Sequence, residues 1–145
     1  MNYQISEVQE HEKESLVQLR ISAMRESLEA IGRFDPARAR GRFLDAFDRE
    51  ATRKIEIDGQ LIGFYVLKDK GDHLYLDHLY VHPDFQGQGL GASALAPIIE
   101  LAQDRQLPLR LCALRGSRSN SFYLSHGFVQ TGESEWDLFY EYRVC

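Results

Sequence analysis

The residues that point most directly to chemistry in this chain are three that have no side chain. Gly87, Gly89 and Gly91 alternate with Gln88 and Leu90 in the run His82-Pro83-Asp84-Phe85-Gln86-Gly87-Gln88-Gly89-Leu90-Gly91-Ala92-Ser93. The run follows a strand-like segment and opens a helix-like one. Glycine lets the backbone approach a ligand closely, and the first N–H groups of a helix lie outside its hydrogen-bond ladder. Together they can hold a phosphate on main-chain dipoles, without a lysine or arginine. That is needed here, because no Lys or Arg occurs between Lys70 and Arg105. A Walker-type loop is excluded, since no Gly-x-x-x-x-Gly-Lys-Ser/Thr occurs. Gly87-x-Gly89-x-x-Ala92 formally fits a dinucleotide fingerprint. That fingerprint needs an acidic residue about 20 residues on, at the end of the next strand, where this chain has Cys112-Ala113-Leu114. A ligand-free connector would spend about 1 kcal/mol of helix propensity on each glycine for no return, so a ligand or a close backbone approach is the better account.

Other reactive side chains sort quickly. Asp77 stands inside an otherwise apolar strand, Leu74–His82, where a carboxylate is costly to bury unless paired. Strict alternation puts Tyr75, Asp77 and Leu79 on one face and Leu74, Leu76 and His78 on the other, unless a bulge intervenes. His73, His78 and His82 with Asp72 and Asp77 look superficially like metal ligands, but their strand parity is mixed and no metal is expected. No Gly-x-Ser-x-Gly elbow exists, and Cys112, in an apolar strand, is expected in the core rather than as a nucleophile. Trp136, Tyr140 and Tyr142 are expected to complete the core rather than line a pocket.

The elements that must position these groups alternate along the chain. Strands are expected over residues 3–8, 52–57, 60–68, 74–82, 107–114, 128–131 and 138–144. Helices are expected over residues 11–30, from 36, over 92–106 and over 119–126. Asp35 and Pro36 supply an N-cap and a first-turn proline, and Asp58-Gly59 a hairpin turn. Pro83 ends the strand before the loop, and Pro97 should kink or loosen the helix after it.

The 145 residues, 43% hydrophobic and with 7 Tyr and 8 Phe, suit one domain over residues 1–145. Composition excludes disorder, and no apolar run is long enough to span a membrane. The polar, acidic N-terminus carries no presequence pattern, and two cysteines, Cys112 and Cys145, suit a reduced cytoplasmic protein. With 17 Lys+Arg against 22 Asp+Glu the net charge is −5, which argues against nucleic acid as a partner.

Gln86-x-x-Gly89-x-Gly91 resembles the Gln/Arg-x-x-Gly-x-Gly/Ala signature of the GNAT superfamily of acyl-CoA-dependent N-acyltransferases. Leu76-Asp77-His78-Leu79-Tyr80-Val81-His82-Pro83 is similar to that family's strand before the loop. Asn120-Ser121-Phe122-Tyr123-Leu124-Ser125-His126-Gly127-Phe128 resembles its late motif, with a Tyr four residues before Gly-Phe. The resemblance runs over about residues 3–144. It implies an α+β fold: a central mixed, mostly antiparallel sheet of six to seven strands, flanked by about four helices and splayed between the strands at 74–82 and 107–114.

The resemblance also implies roles. Main-chain groups of Leu79, Tyr80 and Val81 would bind the pantetheine arm of acetyl-CoA. Gln86, Gly87, Gln88, Gly89, Leu90, Gly91 and Ala92 would hold the pyrophosphate, with Asn120 and Phe122 as further cofactor contacts. Where family members often carry Arg or Lys in the loop, this chain has Gln86 and Gln88, and Gly116 stands where they often have Asn. Arg115 and Arg118 are candidates for the remaining CoA phosphate. Tyr123 resembles the family's general acid: a phenol is protonated near neutrality and can donate to a departing thiolate. Asp77 falls where family members carry a base, with His78 as the second candidate. The implied activity is transfer of an acetyl group from acetyl-CoA to a primary amine of a small molecule or peptide, by direct attack in a ternary complex. The competing reading is a non-catalytic acyl-CoA sensor or interaction module. The implied partners are acetyl-CoA and an amine, with no metal, nucleic acid or membrane; assembly as a homodimer is left open.

Overall fold

The computed structural model describes residues 3–144. Its elements, in chain order, are β1 (Tyr3–Glu7), α1 (Lys13–Ala30), α2 (Pro36–Asp45), β2 (Thr52–Ile57), β3 (Gln60–Asp69), β4 (Leu74–Val81), α3 (Leu90–Arg105), β5 (Leu109–Leu114), α4 (Ser119–Ser125), β6 (Val129–Glu133) and β7 (Asp137–Tyr142). This is the expected order, with short 3₁₀ turns added before α1, before β2 and after β4. Local chemistry explains several boundaries. Asp35 accepts from the Arg38 N–H at 3.1 Å and Pro36 opens α2, so the anticipated cap and first-turn proline both form. β4 stops at Val81 because Pro83 starts a 3₁₀ turn, which His82 caps by accepting the Asp84 N–H.

The strands form one seven-stranded sheet in the order β1-β2-β3-β4-β5-β7-β6. The β1–β2, β2–β3, β5–β7 and β6–β7 pairs are antiparallel, and β4 and β5 are parallel. The parallel pair follows from the β4–α3–β5 connection, since a crossover helix returns the chain in the same direction. Its pairing is short: Leu74 opposite Leu109 and Tyr75 opposite Arg110. Leu76 and Asp77 lie past the last pair, as the expected splay requires.

Two compact units divide the chain, one of Met1–Val66 with His78–Ala94, the other of Leu67–Asp77 with Leu95–Cys145. In the first, Leu16, Val17, Phe43, Phe64 and Val66 form one buried cluster, and Ile55, Ile62, Leu90 and Ala94 form another. In the second, Leu74, Leu76, Ile98, Ala102, Leu109, Leu111, Phe128 and Tyr140 are buried. Two expectations fail there. Cys112 is exposed, because β5 alternates strictly: Leu109, Leu111 and Ala113 go to the core, while Arg110 and Cys112 go to the other face. Trp136 is also exposed rather than core, lying in the turn before β7, whereas Tyr140 is 2% exposed.

α3 begins two residues earlier than its sequence pattern indicates, at Leu90, so Gly91 and Ala92 belong to its first turn. The helix continues through Pro97, which is exposed and withholds the donor that would have met the Ser93 carbonyl. No described helix is long and apolar enough to cross a membrane.

Candidate active site

The glycine loop is built almost wholly from main chain. Gly87 and Gly89 have φ of +80° and +79°, the left-handed region that L side chains rarely adopt. The first helical hydrogen bond of α3 runs from the Ser93 N–H to the Gly89 carbonyl at 3.0 Å. The N–H groups of Leu90, Gly91 and Ala92 therefore precede the ladder and lie at the positive end of the helix dipole. Gln86, which opens the loop expected to hold the pyrophosphate by main-chain N–H groups, donates its side-chain amide to the Val81 carbonyl at 2.9 Å. That bond ties the loop back to the end of β4. Gln88 is exposed.

β4 between His78 and Val81 alternates cleanly. Leu79 and Val81 pack with Leu90 and Ala94 of α3. His78 and Tyr80 turn the other way: His78 packs on Phe43 of α2 with ring centroids 5.6 Å apart, and Tyr80 packs on Phe64 at 5.5 Å. The Tyr80 hydroxyl donates to Met24 Sδ at 3.2 Å and lies 2.9 Å from His78 Nδ1. The hydroxyl has one proton; when sulfur takes it, Nδ1–H is the donor and Nε2 keeps the lone pair. Sequence reasoning passed over Gly63. A Cβ on Gly63 would sit 2.6 Å from the Tyr80 carbonyl oxygen and 3.5 Å from Val81 Cα. The His82 N–H also donates to the Ile62 carbonyl at 2.7 Å. β3 thus fixes the end of β4 by an approach only glycine allows. The available signal was a lone glycine inside a strand pattern.

Asp77 pairs with Lys68, Oδ2 to Nζ at 3.1 Å, so the burial cost foreseen for this carboxylate is met by an ammonium. Lys68, at the end of a strand, carried no signal that would set it apart from any other surface lysine. Beside the pair, the Tyr75 hydroxyl donates to Cys112 Sγ at 3.5 Å. Burial pushes the Tyr75 phenol well above its ordinary range, and Asp77 and Asp137 add to that shift. Although Cys112 reaches solvent, partial desolvation of its sulfur beside Tyr75 raises the thiol; the Tyr75 hydrogen bond opposes this and the same two carboxylates reinforce it. Cys112 is therefore a protonated, poorly nucleophilic thiol near neutral pH.

Tyr123 on α4 is 6% exposed, with ring contacts to Phe122, Phe128 and Tyr140. Its carbonyl accepts the N–H groups of His126 and Phe128, which closes α4 onto the strand that follows. Asn120, expected at the cofactor, spends its amide N–H groups on the Leu114 and Ser117 carbonyls at 2.9 and 3.0 Å. Its Oδ1 accepts the Tyr140 hydroxyl at 2.8 Å. Asn120 thereby braces the turn between β5 and α4. Phe122 is half-buried, stacked on His126 at 4.5 Å. Arg115 pairs with Glu133 and the Ser134 carbonyl. Among the described residues no three His, Cys, Asp or Glu side chains gather as a metal site.

Comparisons with known proteins agree with this fold. By fold, the chain is similar to the PaiA N-acetyltransferase of Thermoplasma acidophilum, solved with coenzyme A (TM-score 0.82, 18% identity, 99% of each chain). It is also similar to the ribosomal-protein-S18-alanine N-acetyltransferase of Escherichia coli (TM-score 0.76, 16% identity, 99% of this chain and 96% of the other). By sequence it is 34% identical over 73 residues to a bovine thialysine N-epsilon-acetyltransferase, a match over 48% of this chain and 43% of that protein. The chain thus matches less than half the length of that curated relative. The family model for the acetyltransferase (GNAT) family matches residues 13–128, a span that takes in the glycine loop, Asp77 and Tyr123, and the chain belongs to that family.

Proposed function

We propose that the protein transfers an acetyl group from acetyl-CoA to a primary amine of a small molecule or peptide, by direct attack in a ternary complex. The observation that carries this reading is the glycine loop. Gly87 and Gly89 open the turn, and three helix N–H groups, those of Leu90, Gly91 and Ala92, stand ready for a pyrophosphate. Main-chain groups of Leu79, Tyr80 and Val81 would hold the pantetheine arm. The PaiA relative was solved with coenzyme A, which supports acetyl-CoA as donor. The bovine relative is named for an N-epsilon amine, which supports an amine as acceptor.

On this reading Asp77, or a water it orients, takes one proton from the acceptor ammonium, and His78 is the second candidate for that task. The freed amine attacks the thioester carbonyl, forming the C–N bond as the C–S bond breaks. The Tyr123 hydroxyl gives its proton to the departing sulfur. The nitrogen loses its second proton to solvent as the amide forms, and solvent then reprotonates the phenolate and takes the proton held by Asp77.

A free-thiol release assay with acetyl-CoA over a panel of amines tests the proposal. Amine-dependent release supports it. Saturable acetyl-CoA binding with no release over the whole panel would replace it with the acyl-CoA sensor.

A further inference from the structure

In the unit of Leu67–Asp77 and Leu95–Cys145, the two faces of the sheet differ sharply. One carries Leu109, Leu111 and Tyr140 into the core. The other presents Cys112 and, directly opposite it on β7, Phe139, which is 40% exposed. Tyr75 shares this face, with its hydroxyl on the Cys112 sulfur. Cys112 and Phe139 form one apolar pair on this face, between the Arg110–Glu141 ion pair on one side and Asp137 on the other, and the exposed Phe139 ring is open to an apolar side chain.

A second charged pair is Lys68 with Asp77. Their side chains are 26% and 29% exposed, so each charge is partly withdrawn from water and still reachable. A half-buried pair of this kind adds little stability for its own sake. Removing one partner is costly, because the other charge is left without a counter-ion. That asymmetry selects among acceptors. A simple amine that takes Asp77 leaves the Lys68 ammonium unpaired. A molecule with an ammonium and a carboxylate on adjoining carbons takes both charges at once, exchanging one ion pair for two.

We propose that Lys68 and Asp77 recognise a zwitterion, and that the acceptor is the α-amine of a free amino acid with an apolar side chain. Its carboxylate lies on Lys68, its amine on Asp77 and its side chain across Cys112 and Phe139. The same exchange makes the Asp77 oxygen available. While Lys68 occupies Oδ2, that oxygen is engaged; when the substrate carboxylate claims Lys68, it can take the ammonium proton before the amine attacks the thioester. Lys68 is thus a specificity determinant that works by penalising acceptors without a carboxylate. This inference rests on the acetyl-transfer reading and narrows its acceptor class.

The test compares apolar amino acids (alanine, valine, leucine, methionine and phenylalanine) with their methyl esters and with the amines lacking the carboxyl group, using the full-length protein and acetyl-CoA. At least one amino acid should exceed its matched amine and ester by tenfold or more in kcat/KM. Lys68→Met should lower kcat/KM for that amino acid at least tenfold more than for the matched amine, so that the acid loses its advantage, while Lys68→Arg keeps the wild-type order. Equal rates for every acid, ester and amine set would overturn the inference, as would a Lys68→Met variant that slows acid and amine by the same factor. If no amine in any panel releases thiol, acetyl transfer itself fails. Ligand-observed NMR on the CoA-loaded protein then decides the inference separately: amino-acid binding lost in Lys68→Met supports it, and equal or absent binding overturns it.

Discussion

Residues 78–94 and the sheet face around Asp77 present themselves to ligands in opposite ways. The first region offers main chain. Its specific features are two positive-φ glycines, three N–H groups ahead of a helix ladder and a strand end fixed by Gly63. The second offers side chains: a carboxylate tied to an ammonium, a phenol on a thiol, and an open aromatic ring. Main-chain recognition tolerates substitution at most neighbouring positions but fails at the few where only glycine fits. Side-chain recognition has the reverse character, since each group carries its own charge and each can be exchanged without disturbing the backbone. A co-substrate common to a whole family suits the first kind of site, and an acceptor that differs between members suits the second.

The largest effect should come from a single oxygen. Tyr123→Phe keeps the ring contacts to Phe122, Phe128 and Tyr140 and removes only the hydroxyl. If that hydroxyl protonates the leaving thiolate, turnover should fall by about 10²- to 10⁴-fold. Calorimetric affinity for acetyl-CoA should stay within about twofold, because the cofactor is held by main chain on this reading. Unchanged turnover would remove Tyr123 from the chemistry and leave it as a buried packing residue.

The next two changes attack the main-chain region. Gly89→Ala forces a side chain into φ +79°, at a cost of about 1–2 kcal/mol. Acetyl-CoA affinity should fall by about tenfold as the loop relaxes, with kcat at saturating cofactor retained. Gly63→Ala is a different kind of strain. There is no unusual φ to blame; the new Cβ meets the Tyr80 carbonyl oxygen at 2.6 Å. The variant should lose about 1–3 kcal/mol of stability in chemical denaturation. It should also bind acetyl-CoA several-fold more weakly, because the end of β4 must shift. A Gly63→Ala protein with native affinity would show that the strand end has slack, and the contrast between the two regions would weaken.

The same contrast decides what the amino-acid sequence discloses. Gly87, Gly89 and Gly91 could be read as a ligand loop because glycine spacing directly encodes a backbone shape, and the loop forms where the pattern puts it. The Asp35–Pro36 cap, the Asp58-Gly59 hairpin and the order of all seven strands were legible for the same reason, since each depends on residues adjacent in the chain. Lys68 and Asp77 are nine positions apart and meet only across two strands, so nothing in the sequence pairs them. Cys112 misled because Leu111-Cys112-Ala113-Leu114 is apolar at every position and looks buried on both faces when only one of them is. Asn120 and Gln86 show a different limit. Both stand in motif positions, yet each spends its amide on nearby carbonyls. Motif position located them, and their hydrogen bonds determine what they do.

A small effect gives the sharpest separation of the two regions, because it needs no catalysis. Partial desolvation of its sulfur holds the Cys112 thiol up, and the charges of Asp137 and Asp77 push it further in the same direction. A raised thiol has less thiolate at any pH below its midpoint, so it alkylates more slowly than an unperturbed cysteine. In a Cys145→Ser background, iodoacetamide should therefore modify Cys112 slowly at pH 8, with a rate that climbs through a midpoint above the ordinary thiol range. Asp77→Asn removes one negative charge and frees the Lys68 ammonium, and both changes favour thiolate. The alkylation rate at pH 8 should rise by about twofold. Gly89→Ala changes no charge and should leave the rate as it was. An equal response to the two substitutions would mean that Cys112 senses general loosening of the fold rather than the charge of Asp77, and the side-chain region would lose its electrostatic definition.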